Sequence, residues 1–136
     1  MAKRKEDDPQ FEIVFYENIL KHSPDFIEAF VALGNLYTRE GHYQKGLEVD
    51  QRLAKLRPDD ATVHYNLACS YSLMNEVPKA RDVMRSAFLL GYDDFAHLEK
   101  DPDLLNLLAD IEFTQYLKET RPPSDKKAGA KAGEGA

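Results

Sequence analysis

The side chains able to do chemistry are few in this chain, and none has a helper beside it. The four histidines, His22, His42, His64 and His97, show no metal-ligand spacing within one helix, where a metal site asks for imidazoles three or four residues apart. Cys69, the lone cysteine, has no basic neighbour in sequence; a thiol becomes a nucleophile only when a cation stabilises the thiolate, so an inert small thiol is expected. No glycine-rich phosphate loop, nucleophile elbow or Cys-x-x-Cys pair occurs. The sequence therefore predicts no catalytic residue, no metal and no cofactor, and a protein that is not an enzyme.

Charge narrows the partners. Residues 121–136 carry net +2 and residues 1–8 net zero, so with −6 for the whole chain residues 9–120 hold −8. Eight acids between Asp93 and Glu119 face only Lys100 and Lys118. Such an end repels phosphate backbones, and no nucleic-acid partner is expected. The run Lys3-Arg4-Lys5 is neutralised at once by Glu6, Asp7 and Asp8, which predicts a solvated arm. No apolar run approaches 18 residues, and no apolar stretch follows the first basic residues, so neither a membrane span nor a signal peptide is expected. With a single cysteine this points to a reducing, cytoplasmic setting.

The elements that must position these side chains are set by a repeat. Shifted by 34 residues, Phe30, Leu33, Gly34, Tyr37 and Gly46 fall on His64, Leu67, Ala68, Tyr71 and Ala80, and Pro58 falls on Tyr92 or, shifted back, on Pro24. A period of this size means a helical array in which each unit buries its apolar face against its neighbours. Leu33, Leu36 and Tyr37, like Leu67 and Tyr71, lie at helical three and four spacing and form core stripes. Gly34, Ala68, Gly46, Ala80 and Ala87 are the small residues that close helix crossings need. Gly46 in a helix costs about 1 kcal/mol against alanine, so backbone contact there outweighs propensity.

These slots resemble the tetratricopeptide repeat, W-x-x-L-G-x-x-Y, then A-x-x-x-F, then P. Phe30-x-x-Leu33-Gly34-x-x-Tyr37, Gly46 and Pro58 fit one unit; Leu67-Ala68-x-x-Tyr71, Ala80, Met84 and Ala87 fit the next. Asp50 stands in the first unit's aromatic slot, His64 in the second's tryptophan slot, and Tyr92 replaces the closing proline. The resemblance implies an all-α, short right-handed α-solenoid of antiparallel helix pairs, with a half-unit at 9–24, repeats at 25–58 and 59–94, and capping helices at 95–120. A disordered arm at 1–8 and a tail at 121–136 flank it, the tail being too rich in Pro, Lys, Ala and Gly to bury a core.

Helices are expected at 11–22, 25–39, 43–56, 60–73 and 77–90. Asp8-Pro9 and Asp101-Pro102 read as starts, while Ser23-Pro24-Asp25, Gly41, Pro58, Asn75 with Pro78, and Gly91 are breaks. Leu104, Leu105, Leu108 and Ile111 share one helical face, from which Phe113, Tyr116 and Leu117 are offset, which predicts two short helices meeting near Asp110. The ending is similar to the Asp-Pro-x-Leu segment of small bacterial members of the family.

The resemblance also implies a concave groove lined by Glu28, Val31, Ala32, Asn35, Thr38 and Arg39 from one unit and Thr62, Tyr65, Asn66, Cys69, Ser72 and Leu73 from the next. Asparagine amides suit the backbone of an extended peptide, and Val31, Tyr65 and Leu73 offer apolar contact. The function implied is an interaction adaptor or scaffold for a protein or peptide partner. Asn35 and Asn66 also fall on two slots of the carboxylate clamp of some family members, but Val31 and Ala96 replace its lysines and only Lys100 adds a cation. The alternative is a structural subunit that associates as a homo-oligomer through Phe11, Phe15 or Ile19.

Overall fold

Asp8 opens the first helix by accepting a hydrogen bond from the Gln10 amide at 3.0 Å, with Pro9 at the position that needs no donor. In the computed structural model, which describes residues 8–123, eight α-helices follow in order. They are α1 (Pro9–His22), α2 (Ile27–Arg39), α3 (Tyr43–Leu56), α4 (Ala61–Leu73), α5 (Val77–Leu89), α6 (Phe95–Lys100), α7 (Leu105–Leu108) and α8 (Ile111–Thr120), with a 3₁₀ turn at Pro102–Leu104. No strand occurs among the described residues.

The period read from the sequence is present in the helices themselves. Both ends of α1 are repeated 34 residues later by α3, and both ends of α2 by α4. At the ends of α2 and α4 the chain reverses through Gly41 (φ 83°) and Asn75 (φ 57°), a left-handed conformation that only glycine and, less readily, asparagine adopt without strain. Even a side-chain tie recurs: Tyr37 Oη donates to Glu17, and Tyr71 Oη accepts from Gln51 Nε2 at 3.1 Å, each reaching one helix back, while Lys45 and Lys79 lie over the two rings at 5.6 and 5.8 Å.

Consecutive helices from α1 to α5 pack side by side in an all-α stack of antiparallel pairs. Ile13, Leu33, Leu36, Tyr37, Val49, Leu53 and Val63 form a core over the first four helices. A second core joins Ala68, Met84 and Ala87 to Leu98, Leu104, Leu107, Phe113 and Leu117 of the C-terminal segment. Gly34 lets α2 and α3 close: a Cβ there would stand 3.2 Å from Val49 Cγ1 and 3.3 Å from Asp50 Oδ1.

Two local expectations are corrected. Asp25 does not open α2, which starts at Ile27 without a side-chain cap; its carboxylate pairs instead with Arg52 of α3 at 3.0 Å. In the C-terminal segment Leu105 and Ile111 are exposed, and Leu107 is buried beside Leu104. The 3₁₀ turn winds more tightly than an α-helix, so the face read with a uniform 3.6-residue period slips by a residue. The break near Asp110 is where expected, Asp110 accepting from the Phe113 amide at 2.9 Å. Most of the expected arm and tail lies outside the described residues. Arg121, placed at the head of that tail, pairs with Glu99 and lies over the Phe95 ring.

Candidate functional site

Between α2 and α4 the stack opens into a concave cavity of about 450 Å³. One wall carries Asn35, Thr38 and Arg39 of α2; the other carries Tyr65, Asn66 and Cys69 of α4, each set within about one helical turn. These six of the groove residues implied by the resemblance thus line one space. Glu28, Val31 and Thr62 are exposed outside it, and Ala32 and Leu73 are half-buried outside it. Ser72 does not reach a groove, because the C-terminal segment covers it: its hydroxyl accepts from the Leu107 amide at 3.1 Å and its carbonyl from Asn106 at 2.8 Å.

The floor and far rim come from residues that the repeat pattern does not mark. Asp50 of α3, the 3₁₀ turn's Asp103, and Asp101 and His97 beside it all line the cavity, with Tyr43 and Ser70. Asp50 is 8 % exposed and accepts a hydrogen bond from the Ser70 hydroxyl. Burial pushes it from the ordinary 3.8 up to about 6, and the Ser70 bond pulls partly the other way. Asp103 is pushed up too, by burial first and then by the Asp101 carboxylate.

Asp101 organises the far side. Its Oδ2 accepts from Tyr65 Oη at 2.6 Å and Cys69 Sγ at 3.8 Å, with His97 Nε2 at 3.4 Å, while Oδ1 accepts from the Asp103 amide at 3.0 Å. The Tyr65 ring stacks on Tyr92 with centroids 4.3 Å apart and planes 10° apart, so the residue in the closing-proline slot has become an aromatic support. Tyr65 is buried, and it lines the cavity as part of its wall. Cys69 is buried, and its thiol is pushed upward by burial, then by Asp101 and Asp103. The thiol donates to Asp101 Oδ2, and a thiol shifted in this direction is a weak nucleophile.

Among the described residues no group of three or more His, Cys, Asp or Glu side chains is arranged to hold a metal ion. No helix among them is long and apolar enough to cross a membrane. The site's chemistry is that of a polar, acidic cleft lined by three carboxylates, two side-chain amides and two tyrosines.

No family model matches the chain. It is 34 % identical over 89 residues to a chloroplastic protein of Arabidopsis thaliana, covering 63 % of this chain and 27 % of that protein. It is 30 % identical over 73 residues to the BBSome complex member BBS4 homolog of Drosophila melanogaster, covering 54 % of this chain and 15 % of that one. The chain thus spans about a quarter or less of the length of either relative.

Proposed function

We propose that this chain is a tetratricopeptide-repeat interaction module that holds an extended segment of a partner protein in the cleft between α2 and α4 and performs no chemistry of its own. The observation that carries this reading is the cleft, where Asn35, Thr38, Arg39 and Asn66 of two equivalent helices face one concave space. Asn35 is exposed and Asn66 half-exposed, so their amides are available to both donors and acceptors of a peptide backbone. The 34-residue recurrence of helix bounds supports units at 25–58 and 59–94 after a half-unit at 9–24, with 95–120 closing the stack over Met84 and Ala87. Similarity to a protein named as a member of a complex points the same way.

A carboxylate clamp fits poorly. Three aspartates line the space where a partner's carboxylate would sit, and like charges repel strongly in a half-buried cleft. Self-association is the second reading: α1 exposes Val14 at 44 % and Phe15 at 52 %, with Phe26 at 46 % close by in sequence. Mass measurement in solution separates them, a monomer at micromolar concentration removing the second.

The test of the first reading is capture of partners from the native cell extract by the wild-type chain and by an Asn35→Ala, Asn66→Ala variant. A tenfold loss, about 1.4 kcal/mol, is expected with an unchanged melting temperature, and Lys55→Ala and Asp82→Ala on α3 and α5 serve as controls. Loss in the controls and not in the amide variant would place the docking surface elsewhere.

A further inference from the structure

The cleft's charge identifies what kind of segment suits it. Three carboxylates from two separate parts of the fold, Asp50 on α3 and Asp101 and Asp103 after α6, line one cavity. The cations at its edge do not balance them: Arg39 leans toward Glu40 at 3.6 Å and is mostly exposed, and His97 is occupied with Asp101. Asp50 stands apart from an ordinary surface acid. It is more than nine-tenths buried, lines the cavity, and is held by the Ser70 hydroxyl with no ion pair among the described residues. A buried carboxylate without a cation is costly, and a fold that keeps one open to a cleft leaves a place where a cation is favoured.

Resting on the groove reading above, we infer that the occupant is a basic segment, one of whose Lys or Arg side chains enters the cavity lined by Asp50, Asp101 and Asp103, whose charge attracts its cationic head. The stem of such a side chain finds the Tyr43 and Tyr65 rings along the walls, which suits an apolar chain ending in a charge. Asn35 and Asn66 are left for its backbone. An acidic or phosphorylated segment meets the same three carboxylates as repulsion. Burial raising both Asp50 and Asp103 is the behaviour of acids that lack a counter-cation.

The experiment titrates the full chain, with ¹⁵N-amide spectra as readout, with blocked heptapeptides Ser-Ala-Leu-Xaa-Leu-Ala-Ser in which Xaa is Lys, Arg, norleucine or Glu. The Lys and Arg peptides are expected to bind at least tenfold tighter than the norleucine peptide, to shift the amides of Asn35, Asn66 and Asp103, and to weaken with added salt. The Glu peptide is expected not to bind. Asp50→Asn with Asp103→Asn, which preserve shape, should bring Lys and norleucine within about twofold of each other. Were that variant to unfold, the order of the four peptides on the wild-type chain decides alone. Equal binding of all four in the cleft, or tighter binding of Glu, overturns the inference and leaves the groove reading standing. Shifts confined to α5, or no binding by any peptide at millimolar concentration, overturn both.

Discussion

Asp50 takes a position where the resemblance places an aromatic ring, and the substitution has a measurable consequence. Its carboxyl is raised from 3.8 to about 6 in the folded chain, so the fold binds this proton more tightly than the unfolded chain does. Its stabilising contribution is full below pH 3.8 and is lost as pH rises through about 6. Asp50→Asn, whose amide oxygen still accepts from Ser70, is therefore expected to be more stable than wild type at pH 8 by on the order of 2 to 3 kcal/mol. That advantage should vanish near pH 4, as read by urea denaturation at the two pH values; equal midpoints at pH 8 would show that Asp50 is not desolvated. Gly34 sets a second test at this scale. Alanine gains about 1 kcal/mol of helix propensity, but its Cβ meets Val49 and Asp50 at 3.2 and 3.3 Å, and overpacking costs about 1 to 3 kcal/mol. Val49 is a stiff, buried β-branched residue and Asp50 is tied to Ser70, so the clash wins and Gly34→Ala lowers the denaturant midpoint. Leu67, in the repeated leucine slot, is buried, and Leu67→Ala should cost about 2 to 5 kcal/mol in the same assay.

Among the elements, the C-terminal segment gains most from structure over sequence. Breaks at Asp8, Asp101 and Asp110 are legible because aspartate caps and proline starts are local signals. Which leucines turn inward is not legible, because a three-residue 3₁₀ turn at 102–104 leaves no periodic mark in composition. Leu104, Leu107 and Phe113 are fully covered against α4 and α5, and Arg81 reaches from α5 to Asp110 at 3.2 Å and to Glu112. Phe113→Ala is expected to cost about 3 to 5 kcal/mol and to expose surface that binds a hydrophobic dye. Leu105→Ala, 68 % exposed beside it, should change the midpoint by less than about 0.5 kcal/mol. If Leu105→Ala proved the costlier of the two, the phase of this segment would be that read from a uniform helix.

Across the whole molecule, the 34-residue shift makes the helix pairs readable because every unit must present the same small and large residues to the same neighbours. Tyr37 and Tyr71, with Lys45 and Lys79 over their rings, fall 34 residues apart and emerge that way; Glu17 and Gln51, also 34 apart, do not, because unlike residue types fill equivalent places. The cleft follows the same division. Its α2 and α4 walls repeat and are legible, whereas Asp50, Asp101, Asp103 and His97 depart from the repeat or follow it, and only folding brings them together. The most direct test of the central claim is amide hydrogen exchange on the full chain, free and bound to a captured partner, read by mass spectrometry. Protection concentrated at 35–39, 65–69 and 97–103 with α5 unchanged is the predicted result; protection confined to 79–90 would contradict it.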